Sequence, residues 1–229
     1  MTAIASSERR LVVVRPAATP TARVPSDTLE PVIAPLLAGL TAAQGSELPR
    51  RIVVAAARAG DGATTIAACT AIALARDLQR HVLLIEANLA RPGLARAFGM
   101  PDKPGLYELV HGKSADGDAL RAIEAVPGLV VLPAGAARPS SAAEVTSAKA
   151  NELYEAAALQ VDHVVVDAAP LLESAEGPLL LKRDDTVVLV ARAGSTPRAD
   201  VQRAISIIQN AGARLAGVIL NRCDPRRLS

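Results

Sequence analysis

Apolar positions fall into two alternating patterns along the chain. Short unbroken runs of Val, Ile, Leu and Ala lie at Ile52–Val54, His81–Ala87, Leu129–Pro133, Asp162–Asp167, Asp185–Ala191 and Leu215–Leu220. Each is short, rich in β-branched residues and closed by Gly, Pro, Asp or Asn, which predicts a buried strand. Between them the apolar positions space out to a helical period. Helices are predicted from Thr64 to about Leu78, and over Gly105–Gly112, Asp118–Val126, Ser140–Gln160, Ser174–Lys182 and Pro197–Ala211. Ser141 followed by Glu144 suggests a capping box for the long fourth helix, and Gly112 a C-terminal stop for the second. Strands alternating with helices predict an α/β fold, doubly wound, with a mostly parallel sheet covered on both faces.

The pattern starts only near residue 50. Residues 1–49 are therefore expected to be a flexible arm with a short helix, and residues 50–229 one domain. Leu11–Val14 could form a short strand, but Pro16, Pro20 and Pro25 argue for mobility. A helix over Thr28–Leu40 would start from Asp27 or Thr28 as cap; Pro31 suits its first turn, and Pro35 is expected to interrupt it.

Composition narrows the functional classes. Of the 229 residues half are apolar but only 1% aromatic, with no Trp, so the core must be aliphatic. A net charge of +2 without a basic run gives no footprint for nucleic acid. Cys69 and Cys223 lack metal spacing and are expected to be free thiols in a reducing cytoplasm. No N-terminal apolar segment predicts a leader, and no run of about 18 apolar residues predicts a membrane span. His81, His111 and His163 show no ligand spacing.

Candidate chemistry collects where parallel strands end, the usual ligand position in such sheets. After the first strand comes Gly60-Asp61-Gly62-Ala63-Thr64-Thr65, two glycines and then a helix start. Backbone N–H groups there can cradle a phosphate, although a Gly-rich turn can also merely join strand to helix. The usual pattern has Lys before the Ser/Thr; here that position is Ala63. The second strand ends Glu86-Ala87-Asn88, and Glu86 could orient a Mg²⁺-bound water. The fourth run ends at Asp167, an apolar-then-Asp arrangement that can hold Mg²⁺ or only cap a turn. Asn221 closes the last strand and could contact a base.

Together these segments resemble the bacterial tyrosine kinases of exopolysaccharide synthesis, within the deviant-Walker ATPases that include partitioning and MinD-type proteins. The resemblance covers about Arg51 to Arg222. It rests on the loop Ala59–Thr65, on Leu83-Leu-Ile-Glu-Ala-Asn-Leu-Ala-Arg-Pro92, on Gly105–Gly112, and on Val131-Leu-Pro-Ala-Gly135 with Pro139 and Ala143-Glu144. Asp167 with Pro170 and Asn221 complete the set. It implies a P-loop NTPase fold and a nucleotide held by Gly60, Asp61, Gly62, Ala63, Thr64, Thr65 and Asn221. Mg²⁺ would sit on Thr64, Glu86 and Asp167, with Glu86 and Asp167 the catalytic acids if the site were active. The implied partner is a membrane-spanning polysaccharide co-polymerase of the chain-length-determinant type, and a homo-oligomer is compatible with the resemblance.

The departures point to a degenerate member. The family's lysine corresponds to Ala63, its first switch aspartate to Glu86 and its second to Asn88. Its oligomerisation helix is reduced to Glu30-Pro31-Val32-Ile33, without the arginines, and its tyrosine-rich tail has no counterpart before Ser229. Losing one charge-assisted hydrogen bond, about 1.5–3 kcal/mol, weakens binding roughly ten- to a hundredfold. ATP and Mg²⁺ are therefore expected to bind weakly. Arg58, where partitioning-type relatives place a second lysine, is the nearest substitute cation. The expected role is a cytoplasmic scaffold in exopolysaccharide, capsule or holdfast synthesis, peripheral at the inner membrane through its partner. The alternatives are an active ATP-dependent tyrosine autokinase and a partitioning or MinD-type ATPase.

Overall fold

The computed structural model describes residues 35–41, 47–136 and 146–223. Seven strands form a single sheet: β1 Arg51–Ala56, β2 Val82–Glu86, β3 Arg121–Ala122, β4 Leu129–Leu132, β5 His163–Asp167, β6 Thr186–Arg192 and β7 Arg214–Asn221. Their spatial order is β3-β4-β2-β5-β1-β6-β7. All neighbours pair in parallel except β3 with β4. Every residue of β2 and β5 is buried, and only Arg51 of β1 is not, as expected for central strands covered on both faces. This is the predicted doubly wound α/β fold.

The helices divide between the two faces. Helix α1 (35–41), α2 (Ala63–Arg76) and α3 (Leu94–Phe98) join Val54, Leu84 and Val165 in one apolar cluster. Helices α4 (Leu106–Val110), α6 (Ala148–Ala158), α7 (Glu176–Leu180) and α8 (Arg198–Asn210) cover the other face, against Leu83, Ile85 and Val166. A one-turn helix α5 (Asp116–Ala119) precedes β3. The Ala-rich α2 crosses the middle of the sheet, and most of its residues are buried. Small side chains let it lie close over β5, β1 and β2, which places its N-terminus at the carboxyl ends of those strands.

Several boundaries differ from expectation. The helix predicted over Asp118–Val126 stops at Ala119, and Arg121–Ala122 pairs antiparallel with β4. The Arg121 guanidinium donates to the Lys103 carbonyl at 3.1 Å and the Pro104 carbonyl at 3.3 Å, holding this segment along the sheet edge, while Ile123 and Val126 turn into the core. The described part of the fourth predicted helix begins at Ala148, with the Ser147 hydroxyl accepting the Ala150 N–H at 3.1 Å. The proposed Ser141–Glu144 capping box lies outside the described residues. So do the Leu11–Val14 run, Pro139, Ala143 and the Glu30–Ile33 segment. Pro35 is the first described residue of α1, and the residues on its N-terminal side that would test the expected interruption lie outside the described residues; Leu36 and Leu40 of α1 enter the core, so this part of the expected arm is docked on the domain. Among the described residues no helix is long and apolar enough to cross a membrane.

Candidate phosphate loop and its two buried acids

The carboxyl ends of β2, β5, β1, β6 and β7 lie side by side and bring Glu86, Asp167, the 57–65 loop, Thr196 and Asn221 to one edge. The loop is turned by Gly60 at φ 86° and Gly62 at φ 107°. Gly62 is required twice over: its φ lies in the left-handed region, and a Cβ there would collide with the Asn221 amide nitrogen. From Gly62 the chain enters α2, whose first internal bond runs from the Ile66 N–H to the Gly62 carbonyl at 3.2 Å. The N–H groups of Ala63, Thr64 and Thr65 precede that bond and point out of the helix start, the arrangement that accepts an anion.

Side chains from distant elements brace this loop. The Asp61 carboxylate, nearly fully buried, accepts the Thr196 hydroxyl at 2.7 Å and the Arg58 N–H at 3.0 Å. The Asn221 Nδ2 donates to the Asp61 carbonyl at 2.8 Å, and its Oδ1 accepts the Arg222 N–H at 2.9 Å. Glu173 accepts the Ala59 N–H at 2.9 Å. Asp61 and Asn221, predicted to bind nucleotide, are thus brought to the loop, with their polar groups engaged within the chain. Arg58 pairs with the buried carboxylate of Asp200 in the first turn of α8 and lies 4.0 Å from Glu173. It is committed to those acids rather than free to replace a lysine at Ala63.

The two predicted metal acids sit opposite each other in register on β2 and β5. Both are fully buried. Glu86 Oε1 accepts the N–H groups of Gly93 and, at 2.7 Å, Leu94; Oε2 accepts the Ala134 N–H at 3.1 Å. Burial raises the Glu86 pKa, and these three backbone bonds offset only part of the rise. Asp167 is the reverse case. Neither of its oxygens has a hydrogen-bond partner of good geometry among the described residues. Burial pushes it up to about 8; the Thr64 hydroxyl offsets a smaller part, and the charge of Glu86 adds to the rise. A buried carboxyl with no partner is costly unless it is protonated or meets a cation or water.

These residues fit a phosphate in part and a Mg²⁺ ion in part. The helix-start N–H groups suit a phosphate, but position 63 supplies no cation. Asp167 and Thr64 suit a Mg²⁺ ion, whereas both Glu86 oxygens already hold backbone N–H groups. Asn88 accepts the Arg91 N–H at 3.3 Å and braces its own turn. A concavity of about 710 Å³ lies elsewhere, beneath α6; it is apolar, lined by Leu83, Ile85, Leu132 and Leu153 and by none of the loop residues.

Thr196, Glu173, Asp200 and Glu108 were not visible as site-supporting residues in the sequence. Glu108 accepts the Gly105 N–H at 2.8 Å and the Ala136 N–H at 3.1 Å, joining two segments of the resemblance. Its spacing of three from the helix start was the available signal. Thr196 lies 135 positions from Asp61, and no local pattern marks the pair.

The sheet order, the glycine loop opening α2 and the acids at the ends of β2 and β5 define the class as a P-loop NTPase fold of the MinD-like, deviant-Walker kind. MinD of Pyrococcus furiosus shares this fold at a TM-score of 0.63 and 22% identity, over 77% of this chain and 75% of that one. The VpsO kinase domain superposes with a TM-score of 0.75 at 26% identity, covering 84% of this chain and 92% of that one. Tyrosine-protein kinase YwqD of Bacillus subtilis is 30% identical over 172 residues, 75% of this chain and 72% of that protein. The chain belongs to the bacterial tyrosine kinase family. The Rhizobium meliloti succinoglycan biosynthesis transport protein ExoP is 31% identical over 80% of this chain. Tyrosine-protein kinase ptk of Acinetobacter johnsonii is 29% identical over 62% of it. This chain spans only 23% of the former and 19% of the latter. No family model matches the chain.

Proposed function

We propose that this protein is a degenerate bacterial tyrosine kinase that serves exopolysaccharide, capsule or holdfast synthesis as a scaffold. The observation that carries the reading is the pairing of Ala63 with Glu86. The lysine position of the loop holds a methyl group, and the acid that ends β2, Glu86, is bound to three backbone N–H groups. Phosphoryl transfer depends on positioned charge, and removing one preorganised stabiliser typically costs about 10²–10³ in rate. Polysaccharide synthesis is supported by relatives such as the succinoglycan transport protein. The proposed partner is a membrane-spanning polysaccharide co-polymerase, through which a cytoplasmic chain reaches the inner membrane. Tyr154 is a poor phosphate acceptor, being 2% exposed with Arg51 and Lys182 over its ring.

One observation favours a second reading, an active tyrosine autokinase: the unpartnered Asp167 beside Thr64 keeps half of a Mg²⁺ site. A complementation series in a deletion strain separates the two. As a scaffold, the protein carrying Asp167→Ala or Thr64→Ala restores polysaccharide, whereas the core-breaking Val165→Asp does not. Loss of export in both site variants at unchanged protein level contradicts the scaffold. Stoichiometric phosphate on Tyr107 or Tyr154 after incubation with labelled ATP contradicts it as well.

A further inference from the structure

β7 is the outermost strand, and its far edge has no partner among the described residues. Its inner edge pairs with β6, where the Asn221 carbonyl accepts the Ala193 N–H at 2.9 Å. By the two-residue period of a strand, Val218 and Leu220 therefore turn their N–H and C=O groups to the open side. The Leu220 carbonyl meets only a weak donor there, the Cys223 thiol at 3.1 Å. The same two side chains are 43% and 55% exposed. Between Arg214 and Asn221 the strand carries no charge and no proline, the usual protections of an edge.

The chain itself supplies a cover. Helix α1 rests beside β7: Leu36 and Leu40 share a cluster with Ala216 and Ile219, and a Cβ on Gly39 would lie 3.4 Å from the Ala216 carbonyl oxygen. The first described residues of α1 therefore lie next to the open edge. Among the residues before Pro35, Leu11-Val12-Val13-Val14 is a β-branched apolar run, outside the described residues, with residues 15–34 as its tether. For a chain of 20 residues, random-coil statistics give a root-mean-square span of about 25 Å. β7 is itself about 26 Å long at about 3.3 Å per residue. Tethering at this range gives an effective concentration in the millimolar range. Pro16 would stop the run after one short strand, as edge strands allow.

We propose that Leu11–Val14 adds to the open edge of β7 as an eighth strand of the same chain. Hydrogen exchange of the full chain tests it, comparing wild type with a Val12→Pro, Val13→Pro variant that removes two donors. The variant lies in the arm and leaves the core untouched. The expected result is protection of residues 11–14 and of the Val218 and Leu220 amides at least about tenfold over free-chain rates. In the variant both sets lose that protection, and β1 and β5 exchange as before. Free-chain exchange at 11–14, or β7 protection unchanged in the variant, overturns the proposal. Protection of β7 that rises with protein concentration, together with a dimer in sedimentation, assigns the edge to a second copy and also overturns it.

Discussion

Glu86 and Asp167 are the same functional group in nearly the same place. They are register partners on adjacent parallel strands, both fully buried, both at carboxyl ends beside the loop. One receives three backbone N–H groups and the other none. The longer side chain of Glu86 reaches the turn before α3 and the segment after β4, and works there as a staple. Asp167 receives no backbone donor, with only the Thr64 hydroxyl to offset a burial that pushes its pKa up to about 8. The contrast teaches that burial does not mark a catalytic acid. What marks unfilled ligand capacity is burial without partners, and in this site that description fits Asp167.

Breaking the staple is expected to have the largest effect. Glu86→Ala strands three N–H groups, those of Leu94 and Ala134 buried and that of Gly93 partly so; at about 1–3 kcal/mol each, a loss of about 3 kcal/mol or more is expected in urea unfolding. A loss under about 1 kcal/mol would mean that the three bonds do not hold these segments together.

Neutralising the orphan has the opposite sign. The folded pKa of Asp167, about 8, lies above its unfolded value of about 3.9. Folding thus favours the protonated form: this contribution is fully present below about pH 4 and is lost as pH rises through about 8. Asp167→Asn stays neutral throughout. It is expected to melt at least about 4 °C above wild type at pH 8.5, with the gap narrowing on acidification and closing near pH 4. A gap that does not change with pH would contradict the unpartnered carboxyl.

The smallest effects are expected from the loop braces. Asn221→Ala and Thr196→Val each remove one hydrogen bond to Asp61 and should cost about 1 kcal/mol. Each is expected to fall below the Glu86 effect, because each removes one hydrogen bond to Asp61 where Glu86 anchors three backbone N–H groups.

Much of this fold was legible because continuous β-branched runs fix buried parallel strands without help from distant residues. Val164–Asp167 and Ile52–Val54 are such runs, and both appear where predicted. The two-residue β3 was not legible: its pairing with β4 comes from the sheet edge and from Arg121 contacts with carbonyls at 103 and 104, not from its own pattern. The loop and the acids were placed correctly at one edge, since topology alone takes strand ends there. Their hydrogen bonds were not. The Glu86 partner Ala134 lies 48 positions away, and the donor of Asn221 meets a carbonyl 160 positions away. Residue type gave acids and amides; only three-dimensional placement distinguishes a staple from a ligand.

The central claim is that the loop keeps its shape and lacks the charge to hold a nucleotide tightly. Titration of the full chain with Mg-ATP by calorimetry, alongside Ala63→Lys, tests it most directly. The account predicts no low-micromolar binding by wild type and an affinity about tenfold to a hundredfold higher for Ala63→Lys, since a lysine would restore one charge-assisted contact of about 1.5–3 kcal/mol. Low-micromolar binding by the wild-type chain, unchanged by the lysine, would contradict it.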